Sequence, residues 1–69
     1  MKYEELTRKL RRLGIAFRRQ ASGSHEIWWN PDRKLYTIIP RHPTREMRKG
    51  TVAKILNDLG LTMEDLQRG

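Results

Sequence analysis

The sequence has no cysteine, so neither a disulfide nor a thiolate zinc site braces it. Long hydrophobic runs are missing as well. No apolar stretch approaches the roughly 20 residues of a membrane span, and the opening residues show no signal-peptide pattern. A soluble, intracellular, cytoplasmic protein is expected. Acids are scarce: 8 Asp and Glu stand against 15 Lys and Arg, a formal charge of +7 with a pI near 10.6. A field of that sign on so small a body attracts polyanions, and nucleic acid is the leading partner class. Membrane-surface binding is disfavoured, because no helix is both strongly basic on one face and bulky-apolar on the other. At 69 residues the chain is read as one domain, 1–69. A chain this short buries only about 60% of the surface its unfolded form exposes, so modest stability is expected.

The chain is organised around Gly23-Ser24-His25-Glu26-Ile27-Trp28-Trp29. Ile and Trp favour strands, a Ser22-Gly23 turn precedes the run, and Pro31 ends it. Alternation puts His25, Ile27 and Trp29 on one face and Ser24, Glu26 and Trp28 on the other. The remaining elements are assigned around that strand. Tyr3, Leu6, Leu10 and Leu13 predict a helix over residues 2–13, stopped at Gly14. Ile15 to Gln20 forms a first strand with Phe17 as its inward anchor and Arg18 and Arg19 on opposite faces. Asn30-Pro31-Asp32-Arg33 is a turn signature, and Lys34 to Ile39 is the third strand.

If Asn30 and Arg33 close that turn, His25 lies opposite Ile38, Ile27 opposite Tyr36 and Trp29 opposite Lys34. Two helices cover only one face of a three-stranded sheet, so Ile27, Trp29, Tyr36 and Ile38 are expected on the open one. An open apolar patch marks a partner or ligand site. Arg41 to Gly50 is a basic connector carrying Arg45, Arg48 and Lys49. It leads into a second helix from Thr51 to Leu59, with Gly50 as its N-cap and Gly60 as its stop. Backbone N–H groups there, beside Lys49 and Lys54, make a natural phosphate site. Thr62 caps a short last helix that packs Met63 and Leu66. The fold class is therefore α+β, in the order α-β-β-β-α with a C-terminal helix and a three-stranded antiparallel sheet. A double-stranded-RNA-binding domain has the same plan.

Three blocks then stand out in order: Gly23-Ser24-His25 with Trp28 following, Ile38-Ile39-Pro40-Arg41-His42-Pro43, and Lys49-Gly50-Thr51-Val52 with Ile55-Leu56 and Gly60-Leu61. On these the chain, over about residues 2–66, resembles the HicA family, the small mRNA-cleaving toxins of HicA–HicB toxin–antitoxin pairs. The resemblance implies a dsRBD-like fold and metal-independent RNA cleavage that depends on the histidine at position 25. It also implies a HicB-like antitoxin that covers the active site. No cofactor and no metal ligand are expected. The family aromatic falls at Trp28, which favours Trp28 as core and leaves Trp29 on the open face with His25.

Cleaving RNA without metal needs the 2′-OH deprotonated, the leaving 5′-oxygen protonated and the phosphate charge stabilised. Histidine, with an ordinary pKa near 6.5, gives or takes a proton at neutral pH. His25 is the candidate general acid or base. Lys49, Arg48, Arg45 and Lys54, with Arg18 or Arg19 at the sheet margin, are the candidate phosphate contacts. Trp29 and Tyr36 either stack bases or, with Ile27, dock the antitoxin. In the register above His42 lies over ~10 Å from His25, which makes it a secondary candidate. Two other readings stand beside the nuclease. In a non-catalytic dsRBD-like module His25 is only a contact. A small DNA-binding repressor is weakened by the lack of a tight helix-turn-helix.

Overall fold

A computed structural model describes all residues from Met1 to Gly69. The elements run α1 (Tyr3–Arg12), β1 (Ala16–Gln20), β2 (His25–Asn30), β3 (Leu35–Pro40), α2 (Lys49–Asp58) and α3 (Met63–Arg68). The three strands form one antiparallel sheet in the order β1-β2-β3, so the strand that begins at His25 is central. The architecture is α+β with helices flanking the sheet, as the sequence pattern predicts.

One face of the sheet is closed by the apolar stripes of the helices. Leu6 and Leu10 of α1, Val52, Ile55 and Leu56 of α2, Leu59 and Leu66 pack with Ile15, Trp28 and Ile39 into one core. Trp28 is its largest member at 1% exposure, which settles the choice between the adjacent tryptophans. Two polar contacts dock α2 to the sheet. Asn30 Nδ2 donates to the Leu59 carbonyl at 3.0 Å, and Thr37 Oγ1 donates to Asp58 Oδ2 at 2.9 Å. Helix α3 is held by a capping box in which Thr62 and Asp65 each bond the other's backbone N–H. Leu66 is buried, but Met63 stays exposed rather than packed as expected.

The β2–β3 register differs from the expected one by two residues. His25 faces Pro40, Ile27 faces Ile38 and Trp29 faces Tyr36. The reason is Pro31. A two-residue hairpin loop needs a primed turn with φ > 0, and proline fixes φ near −65°. The loop therefore lengthens to Pro31–Lys34. Lys34 takes the left-handed conformation at φ 56°, and its N–H donates to the Asn30 carbonyl at 2.7 Å. Because the slip is even, every side chain of β2 and β3 keeps its predicted face.

Three smaller expectations change as well. A bulge between Phe17 and Arg19 breaks the β1–β2 ladder. Phe17 packs edge-on against Trp28 at 5.9 Å but remains 42% exposed, a margin residue rather than an anchor. Helix α2 begins two residues early, with Arg48 at the N-cap and Gly50 inside the first turn. Gly60 holds the expected helix stop at φ 74°, a left-handed conformation in which a residue with a Cβ is strained.

Candidate functional site

His25 is the first residue of β2 and is exposed. The turn that presents it is built from backbone bonds: the His25 N–H donates to the Ser22 carbonyl at 3.1 Å, and the Ala21 N–H to the His25 carbonyl at 2.9 Å. Gly23 supplies the left-handed residue of that turn at φ 61°. Gln20 Nε2 clamps it, donating to the Gly23 carbonyl at 2.8 Å and the His25 carbonyl at 3.0 Å. The imidazole takes no part in these bonds. His25 is held by its backbone alone, and its ring makes no hydrogen bond.

The open face of the sheet carries His25, Ile27 and Trp29 from β2 with Tyr36, Ile38 and Pro40 from β3. No ladder position on it bears a carboxylate. Tyr36 and Ile38 are 47% and 55% exposed, while Ile27 and Trp29 are half-buried among them. Trp29 and Tyr36 stack, with ring centroids 5.5 Å apart and planes inclined by 27°. The bulge in β1 alters the arginines. Arg19 pairs with Ile27, and Arg18, the extra residue, sets its guanidinium 4.4 Å from the Trp29 ring and 5.6 Å from Tyr36. Both arginines thus join the His25 face, where strict alternation puts them on opposite faces.

The basic connector closes on the same end of the sheet. Pro40, opposite His25, also lines a recess of about 340 Å³ with His42, Arg45, Glu46, Met47, Arg48 and Thr51. The corrected register places His42 two residues beyond the partner of His25, not four, and the Arg41 N–H donates to the Ser24 carbonyl at 2.8 Å. Glu46 is engaged by the Met1 amino group, while Arg45, Arg48 and Lys49 make no ion pair. Lys54 differs. Its ammonium lies 2.9 Å from Asp58 Oδ2, and this contact, ahead of the Thr37 bond, holds the Asp58 carboxyl below its ordinary value. Lys54 therefore stands away from the other three, at the β3 edge beside Tyr36 and Ile38.

Glu26 points into the core, as alternation predicts, and is 4% exposed. It accepts from Tyr3 Oη at 2.5 Å and Trp28 Nε1 at 3.0 Å, which satisfies a buried carboxylate and removes it from reach of the open face. The bonds that Tyr3 makes to Glu26 and Gln20 makes to the turn are the contacts around His25 that pattern reading missed. An acid on the core face of a strand was the available signal for Tyr3, since such a group demands donors. Nothing in the sequence marks Gln20. No three His, Asp or Glu side chains converge to hold a metal ion.

The fold and this face together define a class: a small, strongly basic α+β domain of dsRBD-like layout, with an exposed histidine at one end of a carboxylate-free sheet face. A family model described as the HicA toxin of bacterial toxin-antitoxin matches residues 3–61. The chain belongs to the HicA toxin family and is thus the toxin of a toxin–antitoxin system. The match includes Gly23-Ser24-His25, the β3 terminus and α2. Comparison with curated proteins and with solved structures returns no match.

Proposed function

We propose that this toxin is a metal-independent endoribonuclease that cleaves mRNA, with His25 as its general acid or base, and that a HicB-like antitoxin silences it by covering the open sheet face. The observation that carries this reading is the mounting of His25. Its backbone is fixed by the Ser22–Gly23 turn and the Gln20 clamp, and its imidazole projects unbonded at the end of a face without carboxylates. Arg45, Arg48 and Lys49 bind the phosphates on either side of the cleaved bond and offset the charge that develops on it. Arg19 extends that field along β1 and Trp29 contacts the RNA beside it. Lys54, held by Asp58, contributes less than the other cations. Ile27, Trp29 and Tyr36 offer the antitoxin its apolar anchor.

The chemistry follows from the group available. One proton leaves the 2′-OH, its oxygen attacks the adjacent phosphorus, and the 5′-oxygen departs with a proton. The products are a cyclic 2′,3′-phosphate and a free 5′-OH. His25 moves one of these two protons. The direct test uses an RNA carrying a single 2′-deoxy nucleotide at a mapped cleavage position, incubated with chelator. Cleavage elsewhere with none at the deoxy position supports the mechanism. Undiminished cleavage at the deoxy position overturns it.

A further inference from the structure

The open sheet face is built for unpaired bases, and we propose that it binds single-stranded RNA rather than the duplex that the dsRBD-like layout invites. The inference rests on the ribonuclease reading for its substrate, RNA, and goes beyond it in naming the strand state and the residues that read it. The central feature is the assembly of Arg18, Trp29 and Tyr36. The two rings stack at 5.5 Å, and the Arg18 guanidinium lies over both, at 4.4 and 5.6 Å. RNA-binding proteins stack splayed-out bases on aromatic rings and on guanidinium planes of this kind. A duplex hides its base faces, so such a stack meets only an unpaired strand.

Arg18 reaches this position through the β1 bulge, which inserts it as an extra residue above Trp29 and turns Arg19 to the same face beside Ile27. A bulge that re-aims a side chain next to a site is a recurrent device. Beyond Tyr36, a recess of about 360 Å³ lies between Ile27, Ile38, Thr37, Lys54 and Asp58. Its apolar wall suits a base, and its polar rim suits that base's edge. Cations flank the stack without any ladder carboxylate to repel a phosphate, so charge complementarity favours a polyanion over an acid-poor protein surface. His25 and Trp29 share one face of β2 four residues apart, about 13 Å along a strand. The stack thus holds bases to one side of the bond that His25 cuts, and pairing of those bases blocks cleavage.

The experiment measures RNA affinity in the His25→Ala background, where cleavage does not interfere. The probes are a short unstructured RNA and the same RNA annealed to its complement, read by fluorescence anisotropy. The proposal expects the single strand to bind more than roughly tenfold tighter than the duplex. Trp29→Ala and Arg18→Ala are each expected to weaken single-strand binding by roughly tenfold to a hundredfold, the scale of one lost stacking contact. Trp29→Phe keeps most of the affinity, and matched unfolding midpoints show that the variants remain folded. Equal or tighter duplex binding overturns the proposal, as does single-strand affinity unmoved by both substitutions. Trp29→Ala that abolishes antitoxin binding yet leaves RNA affinity intact also overturns it, because the face is then a protein dock alone. Wild-type cleavage is scored separately: its absence counts against the ribonuclease reading, while the binding comparison still decides this one.

Discussion

The Tyr3 hydroxyl donates to the Glu26 carboxylate at 2.5 Å, joining helix α1 to the residue that follows His25 in the central strand. With the Trp28 indole as second donor, this bond satisfies a carboxylate that is 4% exposed. Removing one donor leaves buried charge under-bonded. Tyr3→Phe is expected to destabilise the fold by about 1–3 kcal/mol in denaturant unfolding. The pH dependence carries a sign. Burial first, and the neighbouring Glu26 second, push the Tyr3 phenol from 10.0 up to about 12. A value raised in the folded state gives stability that is complete below pH 10.0 and is lost as pH climbs through about 12. The wild type should therefore lose stability over that window more steeply than Tyr3→Phe. Identical slopes contradict the bond's assignment.

The cations of the basic connector should be separable by salt. On single-stranded RNA each phosphate contact contributes about 0.7 to the slope of log affinity against log salt. Arg45→Ala, Arg48→Ala and Lys49→Ala should each lower the slope by about that amount. Lys54→Ala, whose charge is matched by Asp58 at 2.9 Å, should leave it nearly unchanged. A slope change for Lys54 equal to that for Arg48 would show that the ion pair opens on RNA.

The adjacent tryptophans should behave oppositely in a stability measurement. Trp28, 1% exposed in the core, is expected to cost about 3–5 kcal/mol when cut to Ala, enough to unfold so small a domain. Trp29 lies half-buried on the open face, and its replacement should cost clearly less. Thermal unfolding of the two variants checks this directly. Equal losses would mean that the open face is part of the core.

Much of this architecture is readable in the chain because it depends on local periodicity. The leucines of α1, the α2 stripe and the alternation of β2 each declare their face, and Gly14 and Gly60 mark stops by conformational need. Even the misplaced register kept its faces, since the slip was two residues. What escaped depends on pairing rather than on period. Pro31 excludes a two-residue loop, yet only the folded hairpin shows that Lys34 supplies the left-handed residue. The bulge that brings Arg18 over Trp29 comes from how β1 meets β2, and the string Phe17-Arg18-Arg19 does not encode it alone. His25 itself was legible, as a histidine in the most apolar part of a basic chain. The Gln20 clamp behind it was not, because its partners are carbonyls, which any sequence supplies.

The central claim is that His25 does chemistry rather than merely touching RNA. The measurement closest to it compares wild type and His25→Ala for both cleavage and affinity, on one unstructured mRNA segment in EDTA. The account predicts a rate loss of roughly 10²–10⁴ with RNA affinity lowered only slightly. If the two proteins cut at the same rate, or if both bind and neither cuts, His25 is not the proton-transfer group and this toxin does not act as the proposed ribonuclease.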